Sequence, residues 1–279
     1  MNNRRIKSEF TIRPFDTIEE FTECVRLQDE VWGDDFSDRV PLAILKVSQR
    51  LGGISAGAYD DNGKLAGLIY GMTGVEGGEV IHWSDLLAIR PELRDSGLGA
   101  RLKAYQREEL LAAGITRVHW TFDPLESKNA HLNLNKLGAF AREYVEDIYG
   151  QTTSILHQGI GTDRFVPTWI LDSERVIQRL EKGRQGPEMG ADEGAVLALN
   201  TVNDKGIILP GEPDLSLDAS RILVPIPLSI QELKEESLES AVLWRQATRA
   251  VFSCYLNKGY EVRELYRREH HSEYLLVSI

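Results

Sequence analysis

The chain has little cysteine and no long apolar run, and each shortage excludes a class of protein. Its 279 residues contain only two cysteines, Cys24 and Cys254, so we expect no disulfide framework and a reducing compartment. No apolar run approaches the length needed to cross a bilayer. The first residues, Met1-Asn2-Asn3-Arg4-Arg5, are not followed by the apolar core of a signal peptide. The sequence therefore predicts a cytoplasmic protein that makes no use of a membrane.

Positive charge is also in short supply. The chain has 32 Lys and Arg residues against 43 Asp and Glu residues, a formal net charge of −11. Nucleic-acid binding depends mainly on the neutralisation of phosphates, so this balance argues against a nucleic-acid partner. Hydrophobic residues make up 42% and charged residues 27% of the chain, as in soluble globular domains. No metal site is apparent, since the adjacent His270 and His271 would point to opposite faces of a strand.

The spacing of apolar residues predicts an ordered series of elements. From residue 10 to 171 the predicted order is strand, two helices, three strands, helix, strand, helix and two strands, which indicates an α/β sheet of mixed direction. Residues 182–194 are rich in glycine and charge and lack apolar periodicity, which predicts a linker. Beyond it we predict a hairpin, a strand, one long helix over residues 229–257 and two closing strands. The predicted domains are therefore 1–181 and 195–279.

The segment most informative about function is a glycine-containing turn between a strand and a helix, Ile89-Arg90-Pro91-Glu92-Leu93-Arg94-Asp95-Ser96-Gly97-Leu98-Gly99-Ala100. Glycines let a ligand approach the main chain closely, and the following helix directs its unpaired N–H groups and positive dipole end at an anion. Phosphate or pyrophosphate is the natural occupant. A Rossmann site would need a third glycine where Leu102 stands, and a Walker loop would need Gly-Lys-Ser/Thr.

The turn resembles a signature of a known family. Arg94-Asp95-Ser96-Gly97-Leu98-Gly99-Ala100 is similar to the Arg/Gln-x-x-Gly-x-Gly/Ala pattern of the GNAT superfamily of N-acyltransferases, and the element order over residues 10–171 agrees with that fold. The resemblance implies an α/β (α+β) fold with a mixed, mainly antiparallel sheet flanked by helices. The rest of the chain would be a smaller C-terminal α/β domain, either accessory or a partial GNAT-like repeat.

The resemblance also implies a site for acetyl-CoA or a similar acyl-CoA. The turn would bind the pyrophosphate, the preceding strand would pair with the pantetheine arm, and an asparagine near the start of a later helix would lie beside that arm. For this asparagine a local hydrogen bond is the alternative. The implied residues are Leu87, Ala88, Ile89, Arg94, Asp95, Ser96, Gly97, Leu98, Gly99, Ala100 and Asn129.

Candidate bases lie on the central strand. A histidine such as His82 can titrate near neutral pH, a buried Asp85 would have its pKa raised, and Ser84 lies between them. The alternative for each is a structural hydrogen bond. Backbone N–H groups near Leu87 would stabilise the oxyanion. An acidic segment with Glu30, Asp34 and Asp35 would attract a cationic amine, or would simply be solvated.

The general acid that the resemblance implies is absent from its usual position in the sequence. GNAT enzymes often have a tyrosine four residues before the glycine that ends the later helix, and here Leu134 precedes Gly138. Tyr255 occupies the equivalent place before Gly259, as a duplicated relic, as a residue that reaches the first domain, or as a core aromatic. Arg245 and Arg249, one helical turn apart, would hold a carboxylate or form a solvent face.

These features together predict a CoA-dependent N-acyltransferase that moves an acetyl or similar short acyl group to the amine of a small molecule. Two alternatives stay open, a non-catalytic acyl-CoA-binding or sensing protein and an N-succinyltransferase acting on amino acids. No metal is expected, and a homodimer is one option for the assembly.

Overall fold

Tertiary contacts divide the chain between Val118 and His119. The structure is a computed structural model that describes residues 10–33, 38–150, 159–183, 186–204 and 206–279. Its two units are Met1–Val118 and His119–Ile279. Residues 119–181 thus belong with the C-terminal elements, whereas the sequence groups them with the N-terminal ones; a boundary at 182–194 stays a prediction.

The first unit has four antiparallel strands in the order β1-β2-β3-β4. All four strands lie where the sequence predicts strands, and an Asn-Gly pair closes the turn between β2 and β3, where Gly63 has a φ of 77°. A short strand, β5, lies where the two units meet along the chain. The elements are β1 (Thr11–Pro14), α1 (Ile18–Trp32), α2 (Leu42–Arg50), β2 (Ile54–Tyr59), β3 (Leu65–Glu76), β4 (Glu79–Ile89), α3 (Leu98–Ala112) and β5 (Arg117–His119).

Helices cover both faces of this sheet, which therefore has two apolar cores. The core with α1 and α2 contains Phe21, Leu27 and Leu68, and the core with α3 contains Ile69 and Leu102. A capping box begins α1, because Thr17 accepts from the backbone N–H of Glu20 and the Glu20 side chain accepts from the backbone N–H of Thr17. Such a box satisfies two donors that the helix leaves unpaired.

The second unit has a sheet in the order β7-β6-β12-β13-β11-β8 and a separate hairpin of β9 and β10. Neighbouring strands in the sheet are antiparallel except β11 and β8. The ring of Phe165 lies 4.7 Å from that of Phe252 at the centre of an aromatic core. The elements are α4 (Ser127–Ala130), β6 (Phe140–Val145), β7 (Arg164–Ile170), α5 (Glu174–Leu180), β8 (Val196–Leu197), β9 (Leu199–Asp204), β10 (Ile207–Pro213), β11 (Arg221–Pro227), α6 (Ile230–Glu236), α7 (Leu238–Asn257), β12 (Tyr260–Arg267) and β13 (His271–Ser278).

The fold class is as predicted, a mixed α/β architecture with mainly antiparallel strands flanked by helices. The long helix predicted over residues 229–257 is wrong in one respect, because extended backbone at Ser237 ends α6, and the hydroxyl of Ser237 caps α7. The short helix α5 was missed; Ser173 caps it. The helix predicted over residues 127–137 continues past α4 as a wider π-turn over His131–Lys136.

Among the described residues, no helix combines the length and the apolar character that crossing a membrane requires.

Candidate functional site

A bulge interrupts the pairing of β3 with β4. Tyr70 is opposite Leu86, but the next residue, Gly71, is opposite Ser84, so Asp85 is the extra residue. An extra residue of this kind is left out of the ladder and reverses the alternation of side chains. As a result His82 and Ser84 face α3, and Asp85 is turned towards solvent.

Arg90 fixes the end of β4, where the glycine turn begins. This buried guanidinium donates from Nε to the carbonyl oxygen of Leu65 (2.6 Å) and from Nη2 to Glu23 (2.7 Å), and its Nη1 binds Glu30. Glu23 and Glu30 both belong to α1. Glu30, a candidate acceptor-pocket residue, therefore holds the turn in place, while Asp34 and Asp35 lie outside the described residues.

The turn leads into α3 through two residues in the left-handed region, Asp95 (φ 59°) and Gly97 (φ 86°). Residues 94–97 are all exposed. A Cβ built on Gly97 would have no atom within 4 Å, and one on Gly99 would lie 3.8 Å from Leu87 and 3.9 Å from Ile89. The first turn of α3 at Gly99 therefore packs directly against the end of β4.

The N-terminus of α3 has no side-chain cap from its own capping residue. The first N–H groups of any helix lack partners within the helix, and α1, α6 and α7 satisfy theirs with Thr or Ser caps. In α3 the capping residue is Gly97, which makes no side-chain cap, and the first turn has no acidic residue. The contact described for these donors is long, 3.4 Å from the Leu98 N–H to Ser96 Oγ. The helix dipole therefore favours an anion here.

Asp85 has the properties of a base. It lies exposed at the bulge, but the protein atoms around the carboxylate partly desolvate it and raise its pKa; a hydrogen bond from Trp83 opposes the rise, and the charge of Asp38 adds to it. A carboxylate whose pKa moves towards neutral accepts protons more effectively.

His82 has the opposite surroundings. It is fully buried, its Nδ1 lies 3.2 Å from Thr73 Oγ1, and its Nε2 lies 3.1 Å from the Gln106 side-chain nitrogen. Because Gln106 donates to Nε2, the ring proton is on Nδ1. Burial, and then the charge of Lys103, lower the pKa of His82 to about 3, so the ring is neutral in neutral solution. Its role as a base stays a prediction.

Sequence reasoning missed two residues of this network, Lys103 and Gln106. Lys103 Nζ donates to Ser84 Oγ (2.7 Å) and to Gln106 Oε1 (3.2 Å). Burial lowers the pKa of Lys103 to about 7. The signal was available, because both polar residues fall on the face of α3 that carries Leu98, Leu102 and Leu110.

The remaining candidates belong to the second unit. The Tyr255 hydroxyl donates to the Asp214 carbonyl (2.6 Å) and accepts from the Leu217 N–H (3.2 Å). Leu134 is fully buried, and Asn129 accepts from the Asn133 side-chain amide at 3.3 Å. The catalytic role of Tyr255 and the ligand contact of Asn129 stay predictions.

Arg245 and Arg249 bind carboxylates of the protein itself. Arg245 Nη2 lies 2.7 Å from both oxygens of Asp123, and Arg249 donates to Asp163 and Asp147. Within the described ranges, no cluster of His, Cys, Asp and Glu has the arrangement that holds a metal ion.

Comparison with known proteins finds similarity only at the level of structure. No family model matches the chain, and no curated protein is similar to it. The GNAT-family acetyltransferase from Streptococcus pneumoniae is 19% identical, with 58% of this chain and 99% of that one covered and a TM-score of 0.47. The ribosomal-protein-S18-alanine N-acetyltransferase from Escherichia coli is 16% identical, with coverages of 59% and 96% and a TM-score of 0.46. For the NatC complex bound to Gag peptide and CoA the identity is 14%, the coverages 58% and 98%, and the TM-score 0.47.

Proposed function

We propose that this chain, GNAT-like over about three fifths of its length, is a CoA-dependent N-acyltransferase. It would move an acetyl or similar short acyl group from acyl-CoA to the amine of a small molecule. The observation that carries the proposal is the open, glycine-capped N-terminus of α3, which lies directly against the end of a bulged strand.

The turn supplies the binding site for the pyrophosphate of acyl-CoA. The capping residue Gly97 leaves the donors of the first turn of α3 without a side-chain cap, and the exposed Arg94 adds positive charge beside them. An anion is stabilised at such a helix end by the backbone N–H groups and by the dipole.

The strand supplies a path of suitable length from phosphate to sulfur. From Ile89 back to Asp85 an extended strand covers roughly 13 Å at about 3.3 Å per residue. The pantetheine arm contains about as many main-chain atoms as four residues, and its two amides can pair with a strand as peptide groups do. A pyrophosphate at α3 therefore places the thioester near the bulge.

At the bulge, Asp85 would take the proton of the incoming amine. The amine nitrogen then forms a bond to the thioester carbon, and N–H groups of β4 near Leu87 stabilise the oxyanion. Positioning of the two reactants would lower the activation barrier by about 7 kcal/mol or more in the best case. The exposed carboxylate afterwards returns its proton to water.

The test is calorimetric binding of acetyl-CoA to two variants of α3, Gly97→Asp and Gly114→Asp. Both glycines have a positive φ, 86° and 76°, and open space around them, and Asp tolerates this region better than most residues. They flank opposite ends of the helix. We expect Gly97→Asp to weaken binding at least tenfold through repulsion of the pyrophosphate, whereas Gly114→Asp should bind as the unaltered protein does. Equal affinities in both variants, or no binding by the unaltered protein, would refute the proposal.

A non-catalytic acyl-CoA-binding protein is the second candidate, because Leu134 stands where a tyrosine acid was expected. Incubation with acetyl-CoA and a panel of amines separates the two functions. Release of CoA thiol that depends on the amine supports the enzyme, whereas tight binding without consumption supports the binding protein.

A further inference from the structure

The buried network beside the bulge contains a hydroxyl that accepts a hydrogen bond from a lysine and keeps its own proton. Ser84 Oγ accepts a hydrogen bond from Lys103 Nζ at 2.7 Å. Since an oxygen that accepts from an ammonium keeps its own hydrogen for donation, the Ser84 hydroxyl can donate to a further group. Ser84 precedes Asp85, so this donor lies at the bulge itself.

The network behind Ser84 holds Lys103 in one orientation. Lys103 Nζ also donates to Gln106 Oε1 (3.2 Å), and Gln106 in turn donates to His82. His82 donates to Thr73, whose hydroxyl donates to the Gly52 carbonyl at 2.8 Å. Gln106, His82 and Thr73 each donate to the next group in this series, so the oxygen of Gln106 remains an acceptor for Lys103. This hydrogen bond favours the ammonium form of Lys103, whereas burial disfavours it.

We propose that Ser84 delivers a proton to the sulfur of CoA as the thiolate leaves, and that Lys103 replaces the proton on Ser84. This inference rests on the proposed function, because that function places the sulfur at the bulge. Leu134, where a tyrosine acid was expected, has only an apolar side chain.

The step balances as follows. The carbon–sulfur bond breaks and its electron pair goes to sulfur. Sulfur takes the proton from Ser84 Oγ, and Ser84 Oγ takes a proton from Lys103 Nζ, which becomes a neutral amine. The proton lost by the acceptor amine goes separately to Asp85. Once CoA leaves, water occupies the position of the sulfur and returns a proton to Lys103 through Ser84.

The pKa of Lys103 suits the replacement of the proton on Ser84. Burial lowers the pKa of Lys103 to about 7, close to that of a thiol, ~8.5 in free cysteine. Proton transfer is most effective when donor and acceptor are matched near the working pH. His82 is the titratable group that faces Lys103 from β4, and it is neutral at that pH.

The test uses CoA itself with the full chain and follows the ultraviolet absorbance of the bound thiolate during a pH titration. A donor aimed at sulfur stabilises the thiolate, so we expect the pKa of the bound thiol to fall by about one unit or more below ~8.5. Ser84→Ala and Lys103→Met should each return it towards the usual value. The control is Ser253→Ala, which removes a hydroxyl of α7 that bonds to Glu146 and lies outside this network; it should keep the lowered pKa.

Ser84→Ala removes a single atom, which guards the test against misfolding of the Lys103 variant. An unshifted thiol in the unaltered protein overturns the inference, and so does a shift that survives both substitutions. Failure of CoA to bind the unaltered protein would instead refute the proposed function.

Discussion

Both units bury arginines against carboxylates, as Arg90 does in the first, but the first unit also buries Lys103 and His82 among neutral groups. In the second unit, buried arginines are matched to carboxylates: Arg245 with Asp123, and Arg179 with Glu264 at 2.7 and 3.0 Å. In the first unit, Lys103 and His82 are hydrogen-bonded to neutral groups, and burial shifts the pKa of both downwards. A matched pair keeps its charges over a wide range of pH, whereas Lys103, whose pKa is lowered to about 7, gains or loses a proton near neutral pH.

This difference distinguishes ion pairs that stabilise the fold from groups that can take part in a reaction. Fixed pairs join distant segments, as Arg245 joins α7 to residue 123, and they are costly to break. Groups with shifted pKa values cluster at functional sites, and in the first unit they lie beside the bulge and the open helix end. The contrast can be tested by removing one member from each kind of network.

The largest effect is expected from Arg245→Met. Asp123 would be left buried without its closest cation, since Arg164 lies 3.7 Å away, and the free energy of unfolding should fall by about 3–5 kcal/mol. Denaturant unfolding measures this change. The double variant Asp123→Asn, Arg245→Met removes both charges and should recover part of the loss. A single variant as stable as the unaltered chain would contradict the view that these pairs are structural.

A smaller, pH-dependent effect is expected from Lys103→Met. In the unfolded chain a lysine titrates near ~10.4, and in the folded chain Lys103 titrates at about 7. Between these values the unfolded state binds the extra proton, so the free energy of unfolding rises with pH. Relative to Lys103→Met, the unaltered protein should gain about 2–4 kcal/mol between pH 7 and pH 10. Parallel curves for the two proteins would show that Lys103 does not titrate in this range.

The smallest effect is expected from Tyr255→Phe. The Tyr255 hydroxyl bonds only to the backbone of residues 214 and 217 among the contacts described for it, so its removal should cost about 1 kcal/mol of stability. Acetyl-CoA affinity and acyl transfer should not change. A loss of transfer at constant affinity would instead assign Tyr255 the catalytic role considered from the sequence.

Local signals in the sequence predicted much of the fold and one half of the site. The spacing of apolar residues predicted most strands and helices, and Gly97 and Gly99 predicted the exposed turn before α3. The bulge at Asp85 was not predictable, because it depends on the register of β4 against β3. The break at Ser237 was hidden by apolar residues that keep a helical period on both sides.

The partners of Lys103 could not be predicted from the sequence for a similar reason. Its position on the inner face of α3 is visible in the sequence, but the groups that it meets come from β4 and are set by packing. Residues 123, 163 and 264 likewise find their arginines only through long-range contacts.

Arg90 gives the molecule a thermodynamic linkage. It closes β4 just before the turn and holds two glutamates of α1, so the turn and α1 share one set of ion pairs. A ligand that displaces the turn must alter those pairs, and by reciprocity a ligand held against α1 changes the affinity of the turn by the same factor. Ligands at the turn and at α1 would then bind cooperatively rather than independently, and the α1 glutamates would set the size of the coupling.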